Sequence, residues 1–501
     1  MSDRAWRFLS AVLMAALMVR PARAGSDLRD PPEGLINEGW YALLMSGQKS
    51  GHMHGTLRRE GQRILSATEM TLAIKRGPAV VEIRVETRTE ERLDGTPLKS
   101  VSVMNLASQM NLTHTTEFDG TKAKVTTEQF GRPTVSEYEL SAKPLLAWGS
   151  LVEQQRRGFA PGTRYTLAAY EPAIKPDDVL LTRVEVVGPE TIDLLGRQTQ
   201  ATKLKTAIEG LPMDQVSWVD EDGEMLRMTT FMVMMQVELV RCDKTFALQD
   251  KDPPEMFAQS MVPVGRSLDR AGLKRLRLRL SVPQGQLPDL PETQMQNVRR
   301  LDPRTVELTI IRIDHKKLKG ASPVEPVGEA AECLRSNAYM DLNDPELTRM
   351  AAAAVKGADG LYDRLDRLRN YVSREITDKS LDVGLATASE VARGREGDCT
   401  EHGVLLAALG RANGIPARVV TGLAYVPEFL GSAHVFGYHM WTQYYVDGGW
   451  VDVDAAFRQT EVDPTHIALS VMSLNDQSFF DSAFSILPLM GRLKIEVLEA
   501  E

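Results

Sequence analysis

One cysteine stands where the sequence predicts the start of a helix. In the stretch GDCTEHGVLLAALGRANGIPARVV (397–420), apolar residues recur at the spacing of one helical face: Val404, Leu405, Ala408 and Leu409. Gly414 and Pro416 end the predicted helix, so its first turn falls at Asp398–Thr400. Backbone N–H groups and the helix dipole stabilise negative charge at that end, and a thiol there ionises more readily. Cys399 is therefore a candidate nucleophile.

A nucleophilic cysteine needs a base, and the base needs a group that orients it. Two strand-like runs, 438–446 and 450–457, flank the turn sequence at 447–449 and predict a hairpin. A two-residue turn, in either of its two positions, places Asp454 on the same sheet face as His439. A three-residue loop would place it on the other face. His439 is the candidate base, and Asp454 is the candidate orienting carboxylate.

These residues resemble the transglutaminase-like superfamily of papain-type thiol enzymes. Four features carry the resemblance, in the order and spacing of the family: Cys399 in GDCTEH, GIPARVVTG (414–422), His439 before Trp441, and Trp450 with Asp454. The clear likeness covers about 340–460. It implies an α+β fold, in which a Cys-bearing helix packs on an antiparallel sheet that carries the histidine and the aspartate.

The resemblance also implies the role of each residue. Cys399 is the nucleophile, His439 is the general base and then the acid, and Asp454 orients the imidazole. The reaction passes through a thioester acyl-enzyme and uses no cofactor. We expect a hydrolase, a cysteine peptidase or amidase, that acts on a protein or peptide. The alternatives are a protein-cross-linking transglutaminase and a catalytically silent binding or assembly module with the same fold.

Two further interpretations concern the same residues. Asp452 shares the strand face of Asp454 and competes with it as the orienting carboxylate, and only the family pattern favours Asp454. The second interpretation is a zinc ion, whose possible ligands are Cys399, His402, His434 and His439. No second cysteine completes a familiar zinc pattern, so we expect no metal.

The sequence leaves the oxyanion hole incomplete. Papain-like enzymes place a Gln shortly before the cysteine, and transglutaminases place a Trp farther upstream. Here Arg393 and Arg395 precede Cys399, and no Trp occurs between 345 and 395. The backbone N–H of Cys399 supplies one donor to the developing oxyanion, and the sequence identifies no second.

The N-terminal residues 1–24 have the pattern of a signal peptide. Arg4 and Arg7 form the positive region, an apolar run follows at 8–19, and Ala22-Arg23-Ala24 is a cleavage motif. The apolar run is shorter than the ~20 residues that a bilayer span needs. We therefore expect an exported protein with no stable membrane span, periplasmic or extracellular after cleavage near Ala24.

The rest of the chain divides by pattern. Residues 25–248 alternate apolar and polar residues between Asp-Gly turns, which predicts a large, mainly antiparallel β domain shaped as a curved sheet or an open barrel. Its partner is not indicated. A proline-containing linker (249–270) and a small β-element (271–335) precede the catalytic domain (336–501), which opens with helices predicted at 345–356 and 359–376.

Composition narrows the class of partner. The net charge is −9, and −12 once residues 1–24, with their four arginines and one aspartate, are removed. Such an acidic chain is not a general nucleic-acid binder. The chain has three cysteines, so export does not make it a disulfide scaffold. A Cys242–Cys333 bridge and three unreactive thiols both remain open.

Overall fold

The structure is a computed structural model. It describes residues 28, 30–76, 79–106, 110–129, 131–209, 214–232, 235–255, 261–318, 328–379, 386–429, 431–474 and 489–501. The predicted signal peptide, residues 1–24, lies outside these ranges. The chain forms two compact units, Asp3–Lys75 with Val80–Pro254 and, for the most part, Glu255–Glu501. No helix within the described ranges combines the length and the apolar character that crossing a bilayer requires.

The N-terminal unit is built on one 14-stranded sheet. Its strands are β1 (Gly34–Met45), β2 (Gln48–Glu60), β3 (Arg63–Arg76), β4 (Ala79–Arg92), β5 (Pro97–Leu106), β6 (Met110–Asp119), β7 (Lys122–Gln129), β8 (Arg132–Glu139), β9 (Arg164–Ala169), β10 (Leu180–Leu194), β11 (Arg197–Ile208), β12 (Asp214–Val219), β13 (Met225–Met232) and β14 (Met235–Cys242). Neighbours in the chain are neighbours in the sheet, except that β1 pairs with β14 and not β8 with β9. The predicted Asp-Gly turns lie between β4 and β5, β6 and β7, and β12 and β13.

A buried carboxylate anchors the first helix of this unit. Within the described residues, the helices of this unit are α1 (Ala147–Arg157) and α2 (Lys244–Ala247). The N-cap residue of α1, Leu146, has an apolar side chain that makes no capping hydrogen bond. Instead, the Glu91 carboxylate accepts the backbone N–H groups of Trp148 at 2.7 Å and Gly149 at 2.8 Å. Burial raises the pKa of Glu91 to about 7, although these hydrogen bonds act in the other direction. Glu91 therefore satisfies two of the helix donors that would otherwise be unpaired.

The C-terminal unit contains two smaller sheets. Their strands are β15 (Val262–Pro263), β16 (Arg275–Ser281), β17 (Gln296–Asp302), β18 (Thr305–Ile311), β19 (Ala417–Phe429), β20 (Ser432–Val446), β21 (Gly449–Val453), β22 (His466–Met472) and β23 (Lys494–Ala500). One sheet has the order β15-β20-β19-β22, with β21 also paired to β20, and the other has the order β17-β18-β16-β23. Apolar residues from both sheets form one buried core.

Five helices belong to this unit within the described residues. They are α3 (Glu329–Glu332), α4 (Pro345–Ala354), α5 (Gly360–Glu375), α6 (Ala388–Gly394) and α7 (Cys399–Ala412). The helices predicted at 345–356 and 359–376 are confirmed as α4 and α5. Asp344 caps α4 by accepting the backbone N–H of Glu346 at 2.9 Å. The predicted α+β class, with a large antiparallel β domain ahead of a helix-on-sheet core, is also confirmed.

Strands from segments that the sequence pattern separates pair with one another in the sheets. The predicted linker 249–270 contributes β15, which pairs with β20. The predicted β-element 271–335 contributes β16, which pairs with the C-terminal strand β23. The β-element and the linker from Glu255 onward are therefore part of the same compact unit as the predicted catalytic domain, whereas residues 249–254 belong to the N-terminal unit.

Helix α7 packs on β20 through its backbone. Thr442 Oγ1 donates to the Gly403 carbonyl at 2.9 Å, and Tyr444 Oη donates to the Leu406 carbonyl at 2.7 Å. A Cβ atom added to Gly410 would lie 2.1 Å from Tyr444 Cε1, so the glycine allows the helix and the strand to approach closely. These contacts set the position of α7 along β20.

This close approach gives a test of the packing. We expect Gly410→Ala to lower the free energy of unfolding by about 1–3 kcal/mol, because the buried Tyr444 ring must move. Gly437→Ala, in β20, is the matched control, since an added Cβ there would meet nothing within 4 Å among the described residues. Urea denaturation of both variants measures the difference. Equal stability of the two variants would contradict the proposed contact.

Candidate active site

Cys399 is the first residue of α7, as the sequence predicts. Asp398 is the N-cap residue, and its side chain accepts the Thr400 N–H at 2.9 Å. Glu401 completes a capping box by accepting the Asp398 N–H at 2.9 Å. Gly397 has φ of +144°, and an added Cβ would lie 2.3 Å from Glu401 Cβ, so only glycine fits there. The chain thus turns sharply immediately before the cysteine.

The packing of α7 brings its first turn close to the level of His439 along β20. Gly403 is level with Thr442, because the two are hydrogen-bonded. Cys399 lies four residues earlier, about 6 Å along a helix that rises 1.5 Å per residue. Two strand residues span a similar length, about 7 Å, so Cys399 is level with Met440, the residue after His439. Asp454 is also near enough to act electrostatically on His402, in the same helical turn as Cys399.

His439 and Asp454 meet across the hairpin between β20 and β21. Val446 pairs with Gly449, so the turn has two residues, Asp447 and Gly448, with φ of +50° and +82°. This is one of the two turn positions that the sequence allows, and positive φ at both residues is typical of a type I′ turn. His439 Nε2 lies 2.8 Å from Asp454 Oδ2, and both side chains are buried. Nδ1 of His439 is the ring nitrogen that does not bind this carboxylate.

The Asp454 carboxylate has three hydrogen-bond partners. Oδ1 accepts the Phe457 N–H at 2.9 Å, and Oδ2 lies 2.8 Å from His439 Nε2 and 3.2 Å from His466 Nε2. Burial alone raises the pKa of Asp454, but the two histidines more than offset it and hold the pKa below its usual range. The carboxylate is therefore ionised at neutral pH.

The competing carboxylate, Asp452, has other partners. Its Oδ1 accepts hydrogen bonds from Trp441 Nε1 at 2.6 Å and from Gln443 Nε2 at 3.0 Å. Burial raises the pKa of Asp452. The structure thus brings Asp454, and not Asp452, to His439.

The four residues of the zinc interpretation do not form one cluster. His434 contacts Tyr425 Oη through Nδ1 at 2.9 Å, five strand residues from His439. His402 contacts the Asp398 carbonyl through Nδ1 at 2.6 Å, and its buried Nε2 has no partner among the described residues. Burial lowers the pKa of His402. A neutral His402 that donates from Nδ1 presents Nε2 as an acceptor, so this nitrogen does not supply an oxyanion donor.

The two arginines ahead of Cys399 are engaged elsewhere. Arg393 forms an ion pair with Asp344 at 2.7 Å. Arg395 forms ion pairs with Glu346 and Glu375. Both guanidinium groups are therefore paired with carboxylates in this arrangement, and the structure assigns neither as the second oxyanion donor.

Two residues of the site are missing from the sequence prediction. His466 is the first residue of β22, and Asp463 lies three residues before it, in a turn that holds its carboxylate by the Thr465 N–H at 2.9 Å. The sequence DPTH (463–466) has no hydrophobic periodicity and no link by spacing to His439. Only the pairing of β22 with β19, the neighbour of β20, brings them to the site.

One set of side chains among the described residues has the composition of a metal site. One donor atom each from His439, Asp454 and His466 lies within 4.8 Å of the others. The observed hydrogen bonds already account for this arrangement, because both imidazoles contact the same carboxylate oxygen. We therefore describe the three as a hydrogen-bonded group.

The three cysteines all lie in described residues, and none forms a disulfide. Burial raises the pKa of both Cys242 and Cys333 to about 11, which makes these thiols weak nucleophiles at neutral pH.

Burial and a neighbouring charge favour a protonated Glu401. Burial, together with the nearby Asp398 charge, raises the pKa of Glu401 to about 8. The Thr400 hydroxyl, 2.8 Å from both Asp398 Oδ1 and Glu401 Oε2, acts on this pKa in the other direction, but it has one proton to donate to the two carboxyl groups. At neutral pH, Glu401 therefore adds no negative charge beside Cys399.

This protonation makes the stability depend on pH. The pKa of Glu401 is about 8 in the folded protein and about 4.3 in an unfolded chain, so its contribution is full below pH ~4 and is lost as the pH rises to ~8. We expect Glu401→Gln to remove this decrease in the free energy of unfolding. Urea denaturation at the two ends of the pH range measures the decrease in the wild type and in the variant. Glu390→Gln is the control, since Glu390 holds the same capping-box position in α6 but is exposed; a Glu401 variant with an unchanged pH dependence would refute the assignment.

Comparison with known proteins agrees with this geometry. A family model described as the Transglutaminase-like superfamily matches residues 348–455, which include Cys399, His439 and Asp454. No curated protein matches the chain.

Several solved structures are similar to parts of the chain. One is described as a "Putative Cysteine Protease" from Cytophaga hutchinsonii, at 15% identity over 46% of this chain and 89% of that chain, with a TM-score of 0.31. Another is a beta-barrel-like protein from Brucella abortus, at 13% identity over 41% and 95%, with a TM-score of 0.33. A "putative protease" from Parabacteroides distasonis has 10% identity over 72% and 68%, with a TM-score of 0.19. On the family match, residues 348–455 form a transglutaminase-like domain.

Proposed function

We propose that the protein is a thiol hydrolase, a cysteine peptidase or amidase, that cleaves amide bonds through a thioester on Cys399. The buried 2.8 Å contact between His439 Nε2 and Asp454 Oδ2, level with the first turn of α7, is the observation that supports it most. Asp454 fixes Nε2 as the protonated ring nitrogen, so Nδ1 is left to exchange a proton with Cys399. A base that is oriented in this way is what a nucleophilic cysteine requires.

The proposed reaction has two halves. The Cys399 thiolate attacks the amide carbon, and the Cys399 N–H donates to the oxyanion. The His439 imidazolium then gives its proton to the leaving amine as the C–N bond breaks, which leaves the thioester. In the second half, His439 takes a proton from water as the water attacks. The C–S bond breaks, the acid is released and the thiolate is restored.

The substrate and the location follow from the rest of the chain. The acidic net charge argues against nucleic acid as a substrate, and a protein or peptide is the amide-bearing class that an exported enzyme meets. The pattern of residues 1–24 supports export to the periplasm or the cell exterior. The N-terminal β unit would then bind substrate or a partner protein, outside the catalytic step.

Alkylation tests whether Cys399 and His439 act as a pair. We expect iodoacetamide to modify Cys399 rapidly at pH values well below ~8.5, the pKa of an ordinary thiol, because a paired cysteine is already a thiolate. His439→Ala should remove this advantage. Mass spectrometry of the modified peptides measures the rate at each pH. Cys242 and Cys333 are internal controls. A Cys399 that reacts no faster than an ordinary thiol would favour the alternative, a catalytically silent binding or assembly module.

The fate of the acyl-enzyme separates hydrolysis from cross-linking. We expect p-nitrophenyl acetate to acetylate Cys399, and water to remove the acetyl group even when a primary amine such as cadaverine is present. Mass spectrometry of the enzyme and of the amine product measures the partition, with Cys399→Ser as the control for reaction at other side chains. Acetyl transfer mainly to the amine would identify the protein as a transamidase.

A further inference from the structure

A row of charged side chains, buried except for the half-buried Arg270, extends from Asp454 away from His439. His466 lies beside Asp454, Asp463 lies beside His466, and Arg270 lies beside Asp463. We call these four residues the charge row. The family match at 348–455 includes only the first of them. The other three come from two segments, the start of β22 with the turn before it, and the segment between β15 and β16.

Both ring nitrogens of His466 face oxygen acceptors. Nε2 lies 3.2 Å from Asp454 Oδ2, and Nδ1 lies 3.3 Å from the Asp463 carbonyl and 3.5 Å from Asp463 Oδ1. An ionised carboxylate and a carbonyl have no proton to donate. An imidazole between them makes both contacts only when both of its nitrogens carry protons. The geometry therefore requires His466 to be an imidazolium.

Asp463 is itself held in place from several sides. Arg270 Nε donates to its Oδ2 at 3.1 Å, and Gln459 Nε2 donates to the same oxygen at 2.7 Å. The Thr465 N–H donates to Oδ1 at 2.9 Å. Burial raises the pKa of Asp463, but His466, together with hydrogen bonds from the side chains of Thr465 and Gln459, lowers it further than burial raises it. Asp463 is thus an ionised carboxylate that can stabilise a charged His466.

The charges of the row balance only when His466 is protonated. Asp454 and Asp463 carry one negative charge each, and Arg270 and His466 then carry one positive charge each. A neutral His466 would leave one negative charge unbalanced in a buried region, which is strongly unfavourable. Another nearby carboxylate, Asp452, is also stabilised in its charged form by His466 and, less strongly, by Arg418, whose ion pair is with Glu329.

A purely structural role would require only that His466 fill space. Its ring does pack edge-on against Trp441, with ring centroids 5.2 Å apart, and against Phe457 at 5.8 Å. An apolar ring would meet that need. It would not supply a donor to Asp454 Oδ2, the oxygen that also orients His439.

We propose that His466 is a positioning residue, which holds the Asp454 carboxylate in line for His439 by donating a hydrogen bond to the same oxygen. The assignment rests on the proposed thiol chemistry of Cys399 and His439. His466 touches neither the substrate nor Cys399 in this role. It acts through Asp454, and Asp463 with Arg270 keeps it charged and oriented.

The shift in the pKa of His466 can also be measured. Burial disfavours the charged ring, but the hydrogen bonds and charges of Asp454 and Asp463 outweigh it and raise the pKa of His466 to about 9. The groups that face this ring are Asp452, Asp454, Asp463 and His439. The three carboxylates favour the imidazolium. A protonated His439 opposes it.

Nuclear magnetic resonance of the histidine rings tests the proposal without a substrate. In 15N-labelled full-length protein, we expect both ring nitrogens of His466 to be protonated at neutral pH and to titrate near pH 9. Asp463→Asn should lower that midpoint by about one unit or more, because it removes a facing charge. The downfield proton on His439 Nε2 should shift or disappear in His466→Ala and return in His466→Gln, whose amide restores a donor.

Alkylation of Cys399 measures the consequence for the site. We expect His466→Ala to slow modification by iodoacetamide at neutral pH by about tenfold or more, as loss of an outer hydrogen-bond partner does at other sites. His466→Gln should recover most of the rate. His315→Ala is the matched control, because His315 is equally buried in the same unit, and both of its ring nitrogens lack partners among the described residues. It should lose thermal stability and keep the Cys399 rate.

Three outcomes would overturn the proposal. One is a His466 ring that is neutral at neutral pH. Another is a His439 Nε2 proton that is unchanged in His466→Ala. The third is a dependence of the enzyme on added zinc, with loss of activity on chelation, which would make His466 a metal ligand. A wild-type Cys399 that reacts as an ordinary thiol would refute the proposed enzyme function alone, because the ring measurements do not depend on it.

Discussion

Burying an ionised carboxylate is the constraint around which this site is organised. Asp454 is fully buried, and an isolated charge in such a place would be neutralised by a shift of its pKa. The structure instead surrounds it with one backbone N–H and two imidazoles. The N–H comes from Phe457, three residues along the chain, but the imidazoles come from two other strands, β20 and β22. The registers of β20 with β21 and of β19 with β20 and β22 are therefore what bring both imidazoles to one side chain.

A second constraint acts at the other side of the site, on the first turn of α7. The helix end favours negative charge, which suits a thiolate at Cys399. A second ionised carboxylate at Glu401 would oppose that thiolate, and burial together with the nearby Asp398 charge keeps Glu401 protonated. The capping box thus fixes the turn while it leaves the thiol as the group that can carry the charge.

The sequence predicts the parts of the site that local pattern controls. Cys399 begins a helix because an N-cap residue precedes it and a buried face follows, and both signals are local. His439 and Asp454 share a sheet face because a two-residue turn preserves parity, although the pattern alone leaves two turn positions open. The sequence does not predict His466, Asp463 or the pairing of β16 with β23, because each depends on contacts between distant segments that no periodicity records. The protonation of Glu401 is also hidden, since it depends on burial.

Gly422 shows how the local pattern and the distant contacts meet. It ends the stretch GIPARVVTG, and it pairs with His439 in β20 on one side and with Ala468 in β22 on the other. An added Cβ would lie 2.0 Å from the Ile467 carbonyl oxygen, so only glycine lets β22 approach this closely. Ile467 belongs to the core between the two sheets, while its neighbour His466 reaches Asp454. Adjacent residues of β22 therefore serve the core of the C-terminal unit and the charge row, and a shift of that strand by one residue would lose both contacts.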